Sequence, residues 1–177
     1  GGRIMMALSK VRQRGLVLLL SLTLVLLLGL LALSAMGSAT QLERMAHGLL
    51  ASLQVVEQTH QLLRQAESSV QGQLLPPCGF CLPPPEAGLV TMAGIYGGAG
   101  ASSGMVWQAA EGGLYLIQSL GESTKVRRVP PGLVVNLYRV TAVRRNGMAR
   151  TVLESVIAHP VEPGQLQWRR IFWRQIY

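Results

Sequence analysis

The chain has 177 residues, 49% of them hydrophobic, 14% charged and with a formal net charge of +8. A length near 150 suits one folded domain, and an apolar share this large excludes a disordered or nucleic-acid-tail protein. Most of the excess lies in one place, which also excludes an ordinary cytosolic globule.

Residues 1–15 form a basic leader in which Arg3, Lys10, Arg12 and Arg14 give +4. From Leu16 to Met36, seventeen of 21 residues are apolar and none is charged. At about 1.5 Å per residue, a helix of this length spans roughly 31 Å, close to the thickness of a bilayer's hydrocarbon. The basic flank on its N-terminal side predicts a cytoplasmic N-terminus and a head in the periplasm or outside the cell. Three readings compete for the segment. A cleaved signal would use Gly37-Ser38-Ala39 as a small-residue site, although its apolar core is normally shorter. A plain single-span anchor is the second. The third follows from what comes after the apolar run.

Beyond Met36 the pattern remains helical. Leu42, Met45, Leu49, Leu53, Val56, Leu63, Ala66 and Val70 recur at steps of 3, 4 or 7, one face of a helix. Gln54, Gln58, Gln61, Gln65 and Ser68 fall on other faces. All nine prolines lie between Pro76 and Pro163, so none breaks a helix before Gln71. The expectation is one helix of about 55 residues and roughly 80 Å, with 16–36 in the membrane and 37–72 amphipathic and packed on a head.

Residues 73–88 include the run from Pro76 to Pro85, a stiff linker or loop carrying Cys78 and Cys81. The Cys-x-x-Cys spacing matches thiol oxidoreductases, which set the first Cys at a helix N-terminus to lower its pKa. Here Leu-Pro-Pro-Pro follows and no βαβ pattern surrounds the pair, so a small structural disulfide is expected over free thiols or a redox pair. Two cysteines are also too few for a structural zinc site. His47, His60 and His159 are scattered, and Gly98-Ala99-Gly100 is only a fragment of a phosphate loop. No metal or cofactor is expected, and no nucleophile–base arrangement is visible, which points away from an enzyme.

The head, 89–177, reads as β-rich. Leu133–Arg144 and Ala149–Ala158 flank Asn146-Gly147, the signature of a type I′ hairpin. That turn would set Val140 opposite Leu153, Tyr138 opposite Ser155 and Arg139 opposite Glu154. Gly113–Leu120 and Leu89–Tyr96 are further predicted strands, and Gly94–Gly104 is loop-like. From Lys125 onward there are ten basic residues against Glu154 and Glu162. The terminal stretch mixes aromatics with Arg: Trp168, Arg169, Arg170, Trp173 and Arg174. Three readings stand for it. It is a nucleic-acid interface with stacking platforms beside phosphate-binding Arg, a protein interface, or a final strand that completes the core.

A basic leader, Gly15, an apolar half-helix and an amphipathic half-helix are the layout of a type IV pilin. Arg12-Gln13-Arg14-Gly15 before a Leu-rich run, and Glu43-Arg44-Met45-Ala46 just past it, resemble the PilX-like minor pilins. Tyr138-Arg139-Val140-Thr141-Ala142 and the terminal Trp-Arg pattern resemble their C-terminal half. The resemblance implies an α+β pilin-like fold, one long N-terminal helix packed on a small antiparallel sheet. It implies cleavage by prepilin peptidase between Gly15 and Leu16, with methylation of the new α-amine. It further implies an inner-membrane precursor that joins other minor pilins, the major pilin and a PilY-type tip adhesin, priming assembly and serving adhesion or twitching motility from the pilus tip. The fifth residue after the cut, usually Glu, is Leu20, which suits a rare terminal subunit over a bulk one. Two alternatives are a DNA-binding minor pilin for uptake and a K-type pseudopilin of type II secretion, whose heads are larger than 104 residues.

Overall fold

The computed structural model describes residues 2–70, 75–162, 164 and 167–177, with side chains from Arg14 onward. The side chains of Arg3, Lys10 and Arg12, and the expected helix end at 72, lie outside what is described. The chain divides into two units, 1–50 and 51–177. A single helix, α1, runs Gly2–Ser69. It then meets an antiparallel sheet whose strands, among the described residues, are β1 Gly94–Ile95, β2 Val106–Ala110, β3 Gly113–Ser123, β4 Val135–Asn146, β5 Ala149–Pro160 and β6 Arg169–Gln175. Sheet order equals chain order, a six-stranded meander. The protein is therefore α+β with a pilin-like layout.

The second unit has two cores, one on each face of the sheet. On one face, Leu62, Leu63, Ala66 and Val70 of α1 pack with Ile117, Val140, Ala142, Leu153 and Ile157. On the other, Ala87 and Val90 cover Trp107, Leu116, Val143 and Val152. Alternation along β4 explains the split: Val140 and Ala142 point to the helix, while Val143 points away. Covered on both sides, β5 is buried at every position from Thr151 to Ala158. Gly113 lets the helix come close, since a Cβ there would sit 2.5 Å from Leu62 Cδ2 and 2.6 Å from the Val143 carbonyl. The buried stripe on α1 begins at Val55 and continues through Thr59, Leu62, Leu63, Ala66, Glu67 and Val70. Of the expected apolar face, Leu63, Ala66 and Val70 are buried, whereas Leu53 is exposed.

Three expectations need correction. The β4–β5 register differs from the predicted one by two residues: Asn146 pairs with Ala149, Val140 with Ser155, Thr141 with Glu154 and Tyr138 with Ile157. Gly147 and Met148 form the loop, with φ +60° at Gly147 and no positive φ at Met148. A type I′ turn needs positive φ at both central residues, whereas a Gly at the first alone matches type II′. An even shift leaves every side chain on its predicted face, so the buried set is unchanged. Arg139 still meets Glu154, but diagonally, at 3.7 Å. Second, Leu89–Tyr96 is not a strand. Only Gly94–Ile95 pairs, with Trp107 and Val106, because Val90 is spent on covering the sheet. Third, β2 was not foreseen, and its pairing with β1 ties down both ends of the Gly-rich loop. The strand predicted from Gly113 is present and runs on to Ser123 past an irregularity between Ser119 and Gly121.

Candidate functional site: an apolar helix and a basic last strand

The large apolar side chains of Leu16–Met36 are all exposed. The helix satisfies its own backbone, and its hydroxyls close locally, Ser21 Oγ donating to the Leu18 carbonyl at 2.8 Å and Thr23 Oγ1 to the Leu20 carbonyl at 2.9 Å. With no charge, this segment is long and apolar enough to cross a membrane once. Gly15 and Leu16 lie inside α1, and nothing lies within 4 Å of where a Gly15 Cβ would stand.

At the other end of the chain, β6 and the residue before it carry the five residues that the sequence singled out, but they are held in different ways. Arg170 donates from Nε and Nη2 to the two carboxylate oxygens of Glu67, at 2.8 and 2.6 Å. Ser155 Oγ donates to the same carboxylate at 2.5 Å, and Glu67 is fully buried on α1. Arg174 donates from Nε to Glu154 Oε1 at 3.2 Å, and Glu154 is fully buried as well. Trp173 meets His60 edge-on, centroids 4.5 Å apart, while remaining half-exposed. Trp168 packs against the helix-side core. Arg169 is exposed and reaches no carboxylate among the described residues; it donates to the Arg128 carbonyl at 3.4 Å.

A bulge makes this arrangement possible. Phe172 pairs with Val156 and Arg170 with Ile157, which leaves Ile171 unmatched. Arg170 and Trp173, three residues apart, therefore share the helix side, where strict alternation would have separated them. The final-strand reading accounts for Trp168 and Arg170. Glu67 escaped the sequence reading, although a charged residue one turn after Leu63 in an apolar stripe was the available signal.

Cys78 and Cys81 are joined by a disulfide, with Cα atoms 5.4 Å apart. Their loop is fastened to the sheet side that α1 leaves open. Cys78 N–H donates to the Ser119 carbonyl at 3.0 Å, and Gln118 Nε2 to the carbonyls of Phe80 and Leu82 at 2.6 and 2.9 Å. Arg139 Nη1 reaches the Cys81 carbonyl at 2.5 Å. Burial pushes the Arg139 guanidinium below its ordinary range, Glu154 opposing this and Arg174 adding to it. The Pro-rich segment is thus a packed cover as well as a connection. Behind it, the turn Pro85–Gly88 presents a fully buried Glu86. Glu86 accepts from Ser103 N–H at 3.0 Å, from Ser103 Oγ, and from Trp107 Nε1 at 3.2 Å. Burial alone would raise its pKa, but these bonds, with one from its own backbone, together hold it below the ordinary value of 4.5. Among the described residues, no three His, Cys or Glu side chains gather as a metal site.

Comparison with protein-family models, with characterised proteins and with solved structures finds no match to this chain.

Proposed function

We propose that this chain is a minor pilin of the PilX-like type, a subunit that primes pilus assembly and sits at or near the tip. One observation carries the reading: α1 passes Met36 without a break and goes on to carry an antiparallel sheet. A cleavable signal has no reason to continue as a helix into the head, and a simple anchor has no reason to share one helix with its core. Placement of the N-terminus in the cytoplasm and the head in the periplasm rests on the basic leader.

The role is structural rather than catalytic. Leu16–Met36 would leave the bilayer to pack against the helices of neighbouring subunits, and the head would select those neighbours among other minor pilins, the major pilin and a tip adhesin. Leu20 bears on which kind of subunit this is. A carboxylate in lipid is expensive and needs a partner. Leu20 makes insertion cheap but cannot pair with a neighbour's N-terminal amine, as suits a subunit used in few copies. The DNA-uptake alternative draws less support, because Arg170 and Arg174 are already engaged by Glu67 and Glu154.

Mass spectrometry of the mature protein tests the reading. The expected N-terminus is N-methylated Leu16, and Gly15→Leu is expected to leave the precursor uncut. A mature chain that retains residues before Gly15, or begins near Ala39, overturns the proposal.

A further inference from the structure

The ten basic residues from Lys125 onward do not behave alike. Arg139, Arg170 and Arg174 reach buried carboxylates. Three others gather at the tip of the β4–β5 hairpin with no carboxylate within ion-pair distance among the described residues: Arg144, Arg145 and Arg150. Arg145 and Arg150 are directly paired across the ladder. Like charges at opposed positions destabilise a hairpin, so folding alone gives no reason for this pair. Arg144 points to the other side of the same hairpin, into a cleft of about 240 Å³ that it shares with Glu111 and with Gln58, Gln61 and Gln65 of α1. Between the arginines, at the apex, Met148 is fully exposed.

We infer that this hairpin tip is a docking surface for an acidic protein segment, one that sets carboxylates against Arg145 and Arg150 and an apolar side chain against Met148. The charge at the tip calls for an anion. Two features choose protein over phosphate. Met148 gains nothing from a hydrated phosphate backbone, whereas Met and Arg are both favoured at protein interfaces. Glu111 lines the same cleft as Arg144, and its negative charge disfavours a continuous run of phosphates there more than separate, spaced carboxylates. The cleft adds three amides, each able to donate to and accept from a peptide backbone. None of this depends on the pilin reading: it follows from charge at one hairpin and from the exposure of Arg145 and Met148 there.

The test uses the full chain in an uncharged detergent and measures fluorescence anisotropy with a labelled peptide of Glu-Glu-Leu repeats. Arg145→Gln with Arg150→Gln is expected to weaken binding at least tenfold at low salt. Met148→Ser should weaken it about threefold, and Arg127→Gln, away from the tip, should leave it unchanged. The double variant should also melt at the wild-type temperature or about 1 to 4 °C above it, because opposed like charges have been removed. An affinity unchanged in the double variant overturns the inference. So does a lost affinity accompanied by a lowered melting temperature, which would make the tip structural. Tighter, tip-dependent binding of single-stranded DNA or of phosphatidylglycerol vesicles than of the peptide overturns the choice of protein.

Discussion

Two stretches of α1 follow opposite rules. In Leu16–Met36 the side chains are apolar all round and every large one is exposed. In Val55–Val70 one stripe is buried, and that stripe contains a carboxylate, Glu67, while Gln61, Arg64 and Gln65 face water. The first stretch has no sidedness, as suits a segment long and apolar enough to cross a membrane. The second has strong sidedness because a sheet covers one flank only. Its one charged buried group survives because Arg170 and Ser155 arrive from β6 and β5 to meet it. Hydropathy alone would rank Glu67 as the misplaced residue and Leu24 as the unremarkable one, and substitution should show both to be constrained, Glu67 the more strongly.

The largest effect is expected at Glu67. Glu67→Leu leaves the Arg170 guanidinium against a core without a counter-charge, and removing one partner of such a pair typically costs about 3 to 5 kcal/mol. Replacing both, as Glu67→Leu with Arg170→Met, should recover most of that loss, since apolar groups of similar volume fill such sites well. Denaturant unfolding of the wild type and the two variants measures the difference. If the double variant is no better than the single, the carboxylate has a role beyond pairing. The next effect lies in the other stretch. Leu24→Arg puts a charge near the middle of the apolar run and should raise the cost of insertion by about 2.5 to 3.5 kcal/mol. In the helix of the second unit, Gln54→Arg, at an exposed position, should change stability by no more than about 0.5 kcal/mol. Membrane retention after carbonate extraction reads the first, and thermal unfolding reads the second. Full retention of Leu24→Arg would mean that the segment does not sit in lipid.

How much was legible follows from whether the cause is local. The helix was legible through Ser69 because period and absence of proline are properties of neighbouring residues. The β4–β5 hairpin was legible for the same reason, and so was the side on which Val140 and Leu153 lie. Its register was not, because Asn-Gly serves a turn centred on either pair and the choice depends on the sheet around it. The pairing of Glu67 with Arg170 spans 103 positions and that of Glu154 with Arg174 spans 20. Neither has a local signature, so the terminal Arg-aromatic stretch left interface and core-completing strand both open, and only the fold sets two of its guanidiniums against buried acids. The Pro-rich segment misled similarly. Its composition says stiffness, and only Gln118 and Arg139, far along the chain, turn it into a cover for the sheet.

The cover offers a third version of the same contrast, with a smaller expected effect than at Glu67 or Leu24. Glu86 is as buried as Glu67, but its donors are Ser103, Trp107 and backbone, all of them neutral. Because its folded pKa lies below the ordinary value of 4.5, the unfolded chain binds the proton more readily. The stabilisation is therefore complete above that ordinary value and is lost as pH falls through the lower folded one. Glu86→Gln keeps the shape and removes the charge-assisted bonds, which should cost about 1 to 2 kcal/mol at neutral pH. Unfolding curves of both proteins, measured from pH 7 down into the acid range below 4.5, should converge as the wild-type carboxyl protonates. A gap that stays constant would mean that neutral donors do not hold the charge. A buried acid on this face would then need a guanidinium, as Glu67 has on the other.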